Sequence, residues 1–200
     1  LFVVERDTPG LSVGALNKFV GARAIGNSIV YFDDCRVPIE NLVGKDGEGL
    51  NIILEVLPPI LLLDAMLAIG LARAAYEAAV KHVKERKMYG APMAKLQGVR
   101  WKIAEMALEI ERARQLTFHG VGLFEQKSPT AAMIGSMAKW SSTEMSVMVA
   151  KEAMQMYGGY GITKDYPLQR YLRDAHALTI SSFPTDYHKS IVADALLGRS

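Results

Sequence analysis

Arg86 is the first residue whose type and setting point to chemistry. It lies in Glu85-Arg86-Lys87-Met88-Tyr89-Gly90, where an apolar helical pattern gives out. A planar guanidinium with a fork of donors suits a phosphate oxyanion. The same basic residues would also complement the negative end of a helix, and the sequence leaves both readings open. A second constellation, Gln155-Met156-Tyr157-Gly158-Gly159-Tyr160-Gly161, sets glycines behind a helix. Glycine lets backbone approach a ligand closely, and it equally serves as a helix cap. This run is not a phosphate-binding G-x-G-x-x-G turn, because that motif follows a strand and opens a helix.

The remaining candidates are weaker. Arg170-Tyr171-Leu172-Arg173-Asp174-Ala175-His176 alternates charge with apolar anchors, as a structural ion-pair network does. His176 and His188 have no metal-ligand spacing, so no metal site is expected. No G-x-S-x-G elbow is present, which leaves a serine-hydrolase reading without support.

The elements that must position these residues change character along the chain. Up to residue 45 they read as strands and turns: Leu1-Phe2-Val3-Val4, then Asp7-Thr8-Pro9-Gly10, then Ser28-Ile29-Val30-Tyr31-Phe32. After Gly44, Gly47 and Gly49 the pattern is helical. Met66, Ile69, Ala72, Tyr76, Ala79 and Val83 recur at helical spacing, and Tyr89-Gly90-Ala91-Pro92 reads as a Gly-then-Pro stop. A second helix is predicted from about Lys95 to Gln126. A third starts with Ser128 as cap and Pro129 in the first turn and runs to Tyr157. A short helix near Leu168 to Leu172 and a last one near Thr185 to Leu197 follow. Pro58-Pro59 should break or kink the first helix, since each proline costs roughly 3 kcal/mol in a helix interior. Long helices joined by short loops predict a mainly α fold, an antiparallel four-helix bundle preceded by a short β segment. The expected domains are residues 1–45 and 46–200.

Composition sets outer limits. The chain has 200 residues and a net charge of +2, so no electrostatic case exists for a nucleic-acid or anionic-membrane partner. The apolar stretch Ile52 to Leu63 is short and interrupted by Glu55, Pro58 and Pro59, and no membrane insertion is expected from it. Cys35 is the single cysteine, which points to a reducing compartment. The chain opens on Leu1 rather than Met, and is expected to be part of a longer protein.

Taken in order, these segments resemble the acyl-CoA dehydrogenase family. Thr8-Pro9-Gly10, Gly21-Ala22-Arg23, Val30-Tyr31-Phe32-Asp33 and Val37-Pro38 with Asn41 are similar to the end of its middle β-domain. Gly44-Lys45-Asp46-Gly47-Glu48-Gly49, Ala68-Ile69-Gly70-Leu71-Ala72, the Arg86 motif, Leu96-Gln97, Ala104-Glu105-Met106, Gln155 to Gly159 and Arg173-Asp174-Ala175 are similar to its C-terminal bundle. The resemblance implies FAD lying across a subunit interface, with Arg86 reaching the pyrophosphate, Tyr89 beside it and Gln97 as a further polar contact. Gln155, Gly158 and Gly159 would lie against the adenosine half. It also implies a homo- or hetero-oligomer (a homotetramer built as a dimer of dimers) formed through the bundle. The Met133, Met137, Met145 and Met148 face would give adaptable packing there. Electron-transfer flavoprotein is the implied redox partner, and the cytoplasm, or the mitochondrial matrix in a eukaryote, the implied location.

On the substrate side the sequence departs from the family. The glutamate that takes a proton alpha to the thioester is matched by Ser182, within Ser181-Ser182-Phe183-Pro184. A serine hydroxyl is no base for that proton unless another group activates it. His188 is expected to point elsewhere. An alternative family position for the glutamate is matched by Ile60, and the Asp and Arg that hold the CoA tail by Pro58 and Leu61. Asp186 and Asp64 are the nearest acidic residues. The resemblance thus implies α,β-dehydrogenation of an acyl-CoA by an enzyme with an unusual base. The alternatives are a catalytically silent flavin-binding subunit and a member turned to another flavin reaction.

Overall fold

The computed structural model describes residues 1–198. The chain divides into two compact units, Leu1–Leu57 and Pro58–Ser200.

In the first unit, β1 (Leu11–Val13) pairs antiparallel with β2 (Val30–Phe32), Leu11 facing Phe32 and Val13 facing Val30. The Leu1–Val4 run, expected as a strand, makes only a single bridge between Phe2 and Leu42. A two-stranded ribbon has too little partner surface to cover its own apolar faces. Val13, Val30, Tyr31 and Phe32 accordingly remain exposed. Among the described residues, these strands close into no barrel.

Helix α1 spans Gly49–Glu85 and runs through Pro58 and Pro59, so the prolines do not break it. The carbonyls that the two prolines cannot bond belong to exposed residues, Leu54 and Glu55, where solvent can serve in place of the missing donor. By length and composition α1 could also cross a membrane. Its buried stripe is Leu61, Leu62, Ala65, Ala68, Ala72, Ala75, Ala79 and Val83, and Met66 lies outside it at 38% exposure.

The remaining elements complete the bundle. A short hairpin, β3 (Lys87–Met88) and β4 (Ala91–Pro92), precedes α2 (Gln97–Glu125). Then come α3 (Ala131–Tyr157), α4 (Leu168–Ile180) and α5 (Thr185–Leu197). Helix α3 starts later than Ser128 because that residue caps a turn: its Oγ accepts from the Thr130 amide at 3.3 Å. Helix α4 runs on past Leu172 to Ile180, since Ala175 is buried against the bundle and makes the extra turns worth forming.

Neighbouring helices are antiparallel. Val83, late in α1, shares a recess with Val99 and Ile103, early in α2, while Leu62 meets Gly120 at the other end. Thr117 and Ser142, 3.4 Å apart, and the Lys102–Glu152 ion pair fix α2 against α3 the same way. The core is assembled from small residues. Ala72, Ala75, Ala79, Ala150, Ala153 and Ala175 let the helices approach, and Met106, Val149, Met156 and Leu168 fill the spaces between them.

Candidate functional site

Two places in the bundle unit carry the predicted site residues. The first is a cleft of about 510 Å3 where α1 ends beside the end of α3. It brings together Arg86, Gln155, Gly158 and Gly159, which are far apart in sequence, with His82, Tyr157 and Tyr160 as further walls. Helix α1 stops at Glu85, and the Arg86 amide still donates to the His82 carbonyl at 2.8 Å. The expected Gly-then-Pro stop is in fact the β3–β4 hairpin. Tyr89 and Gly90 form its turn with φ of 52° and 79°, and the Met93 amide closes it on the Arg86 carbonyl at 2.8 Å. The hairpin therefore holds Arg86 at the rim.

The walls of the cleft are fixed by aromatic packing. The rings of His82 and Tyr157 stack at 4.0 Å, and the Tyr157 hydroxyl donates to the Ala78 carbonyl at 3.2 Å. Burial lowers the His82 pKa, and the Arg86 charge lowers it further. Burial likewise raises that of Tyr157. The Arg86 guanidinium sits 5.9 Å from the Tyr160 ring centre and has no ion-pair partner among the described residues. Gly158 takes φ 58° as the cap of α3, and a side chain built there or at Gly159 would meet nothing within 4 Å. An uncommitted cation beside open backbone fits the phosphate and adenosine end of a dinucleotide. Tyr89 and Gln97 stand outside the cleft. Tyr89 is 91% exposed at the hairpin tip, and Gln97 is exposed at the start of α2. Leu96 and Gly98, on either side of Gln97, line a neighbouring recess that Gln155 also borders.

The second place is the loop between α4 and α5. Ser182 and Phe183 both adopt positive φ, 46° and 76°. Two consecutive non-glycine residues there are strained, and such strain persists only where surrounding structure enforces it. The enforcement comes from two buried groups. His188, expected to point elsewhere, folds back on the loop: its Nε2–H donates to the carbonyls of Ser182 at 3.1 Å and Phe183 at 3.2 Å. Lys139 of α3 donates from Nζ to the Phe183 carbonyl at 3.0 Å and to the Thr179 carbonyl at 3.4 Å. Both residues are fully buried. Burial lowers the Lys139 pKa, against the opposing charges of Asp64 and Glu144. The His188 pKa is lowered by burial and then by the Lys139 charge. Its Nδ1 has no partner among the described residues, so a second ring proton would find no acceptor there.

The Ser182 hydroxyl itself hydrogen-bonds to no described residue; the histidine reaches only its carbonyl. Asp186 is not brought to the loop. Its side chain is 90% exposed in the first turn of α5, paired with Lys189 at 2.9 Å. Ile60 is exposed, and Leu61 is only 1% exposed and belongs to the core. Lys139 escaped the sequence reading. A signal for it existed: it falls on the small-residue stripe of Gly135, Ser142, Ser146 and Ala150, where a lysine must be buried. Among the described residues no group of three metal-ligating side chains gathers.

The fold defines a helical-bundle domain with an open cleft at one end. A family profile described as acyl-CoA dehydrogenase, C-terminal domain, matches residues 47–197. A Bacillus subtilis acyl-CoA dehydrogenase is 38% identical over 197 residues, covering 98% of this chain and 52% of the relative. The structure of butyryl-CoA dehydrogenase from Megasphaera elsdenii superposes with a TM-score of 0.94 at 31% identity, over 98% of this chain and 51% of that one. A chain in a structure of the electron transferring flavoprotein of Acidaminococcus fermentans gives 0.95 at 35% identity, over 99% and 52%. The chain belongs to the acyl-CoA dehydrogenase family, whose members are FAD-dependent flavoproteins. It spans about half the length of these relatives.

Proposed function

We propose that this chain is the C-terminal part of an FAD-dependent oxidoreductase that removes hydrogen across the α,β bond of an acyl-CoA thioester or a related small acyl substrate. The observation that carries the reading is the cleft that gathers Arg86, Gln155, Gly158 and Gly159. Arg86 would hold the pyrophosphate, and Gln155 with the two glycines the adenosine half. Bound FAD would supply the acceptor for the hydride leaving the substrate. Ser182 occupies the usual base position but does not take the proton, because nothing activates its hydroxyl.

Tyr89 and Gln97, both outside the cleft, fit contacts made across a subunit interface, in keeping with a dimer of dimers formed through the bundle. Electron-transfer flavoprotein as redox partner, a cytoplasmic or mitochondrial-matrix location, and a family-domain boundary near residue 45 belong to the same reading. So does the expectation of neither nucleic-acid binding nor membrane insertion.

A second reading, a catalytically silent flavin-binding subunit of a hetero-oligomer, is favoured by the idle Ser182 hydroxyl and by Leu61 lying in the core. Anaerobic titration of the full-length protein with a panel of acyl-CoAs separates the two. Flavin bleaching with at least one thioester supports the enzyme. Retained FAD that no thioester bleaches supports the silent subunit. Light scattering of the same protein should show an oligomer, and a monomer at high concentration counts against the interface.

A further inference from the structure

Asp64 is an anomaly in its own helix. It interrupts Ile60-Leu61-Leu62-Leu63 and Ala65-Met66-Leu67, where every neighbour is apolar. Aspartate is a poor helix former, and placing a carboxylate on a half-buried apolar surface carries a desolvation cost. The structure shows what the side chain meets there. Ser181 Oγ lies 3.5 Å from Oδ2, but it shares its one proton with the nearer Leu178 carbonyl at 3.2 Å, so most of the carboxylate's accepting capacity is unused. The other oxygen, Oδ1, has no hydrogen-bond partner among the described residues. The buried ammonium of Lys139 and the ring of His188 both feel its charge. Asp64 therefore lies against the residue next to Ser182, on the loop that Lys139 and His188 hold rigid. It also lies one helical turn beyond Ile60 and so shares its helix face.

We propose that Asp64 is the catalytic base of this protein: its carboxylate takes the proton alpha to the acyl carbonyl that Ser182 cannot take. The proposal rests on the acyl-thioester reading above. In the step, the α C–H bond breaks, its proton goes to Asp64 Oδ1, and its electron pair stays on the substrate as the enolate. Bound FAD would supply the acceptor for the β-carbon hydride, whose loss completes the α,β double bond. Lys139 is a positioning residue. It holds the loop through the Phe183 carbonyl and keeps a positive charge near the Asp64 carboxylate. The bland alternative makes Asp64 only the counter-charge of Lys139, in which case it would support the fold and have no part in proton transfer.

The test separates proton transfer from hydride transfer. The full-length holoprotein is incubated in D2O with a 3-thia acyl-CoA, whose sulfur at the β position leaves no hydride to transfer. Exchange of the α proton is followed by NMR, alongside flavin content and thermal stability. Wild type should exchange the α proton. Asp64→Asn should lose exchange by about 100-fold or more, the span of general base catalysis, with FAD retained. Asp64→Glu shifts the carboxylate by one methylene and should slow exchange by roughly 10- to 100-fold, because misplacement by about 1 Å costs that much. The glutamate variant also keeps the charge beside Lys139, so it gives an answer should the asparagine variant fail to fold. Wild-type exchange rates in either variant overturn the assignment of Asp64 alone. Absence of exchange in a wild type that retains FAD overturns the acyl-thioester reading, and the assignment of Asp64 with it.

Discussion

The two ends of the bundle treat their polar groups in opposite ways. At the cleft, the Arg86 charge and the backbone of two glycines are uncommitted. Arg86 has no acidic partner among the described residues, and Gly158 and Gly159 leave backbone open. At the α4–α5 loop the polar groups face inward and are committed to the fold: Lys139 and His188 use their hydrogen bonds on the carbonyls of Thr179, Ser182 and Phe183. The first arrangement stores binding capacity for a ligand. The second stores rigidity, and it fixes the backbone around Ser182 without activating the hydroxyl. Open polar groups and a rigidly bonded loop are thus separable features of one bundle.

Mutations at the two ends should have effects of different kinds. The largest loss of stability is expected from Lys139→Ala, which removes a buried stem and leaves the Thr179 carbonyl without that donor. A loss of about 3 kcal/mol in chemical denaturation is the expected scale for a charged hydrogen bond lost in the interior. A change below about 0.5 kcal/mol would show that His188 alone holds the loop. Arg86→Ala should do the reverse. Denaturation should move little, while FAD retention after dialysis of the full-length protein weakens by about 1–3 kcal/mol. Unchanged flavin content would remove Arg86 from the site.

Gly161, next to the cleft, tests packing alone. It is buried, and a side chain there would sit 2.4 Å from the Met154 carbonyl oxygen. Gly161→Ala should therefore cost about 1–2 kcal/mol by overpacking. An unaltered melting temperature would mean that the turn after α3 relaxes freely.

The smallest effect is a pH dependence. His82 and His188 have folded pKa values below their ordinary value. The unfolded chain therefore binds their protons first as pH falls, and stability is full above about 6.5 and declines below it. The slope should reach on the order of 1 kcal/mol per pH unit, and His188→Gln should flatten it. An unchanged slope in that variant would assign the dependence to His82 and the cleft end instead.

The sequence by itself determined much of the bundle. Apolar spacing and capping residues placed α2, α3 and α5 nearly to their ends, because helix patterns are local and repeat every few residues. The same periodicity, read with the family motifs, drew attention to Arg86, Gln155, Gly158 and Gly159. What it could not determine was any fact that depends on exposure or on a distant partner. The prolines of α1 are tolerated where the carbonyls they orphan belong to exposed residues. Helix α4 is longer than its own pattern warrants because the bundle buries Ala175. Tyr89 belongs to a hairpin tip because Arg86 and Met93 close a backbone bond between them. The loop around Ser182 shows the difference most sharply. In the sequence His188 lies six residues along a helix from Ser182, and Lys139 is one lysine among many. Only the tertiary structure brings α3, α5 and the Asp64 turn of α1 to one short loop, because Lys139 reaches it from 40 and 44 positions away and Asp64 from 117.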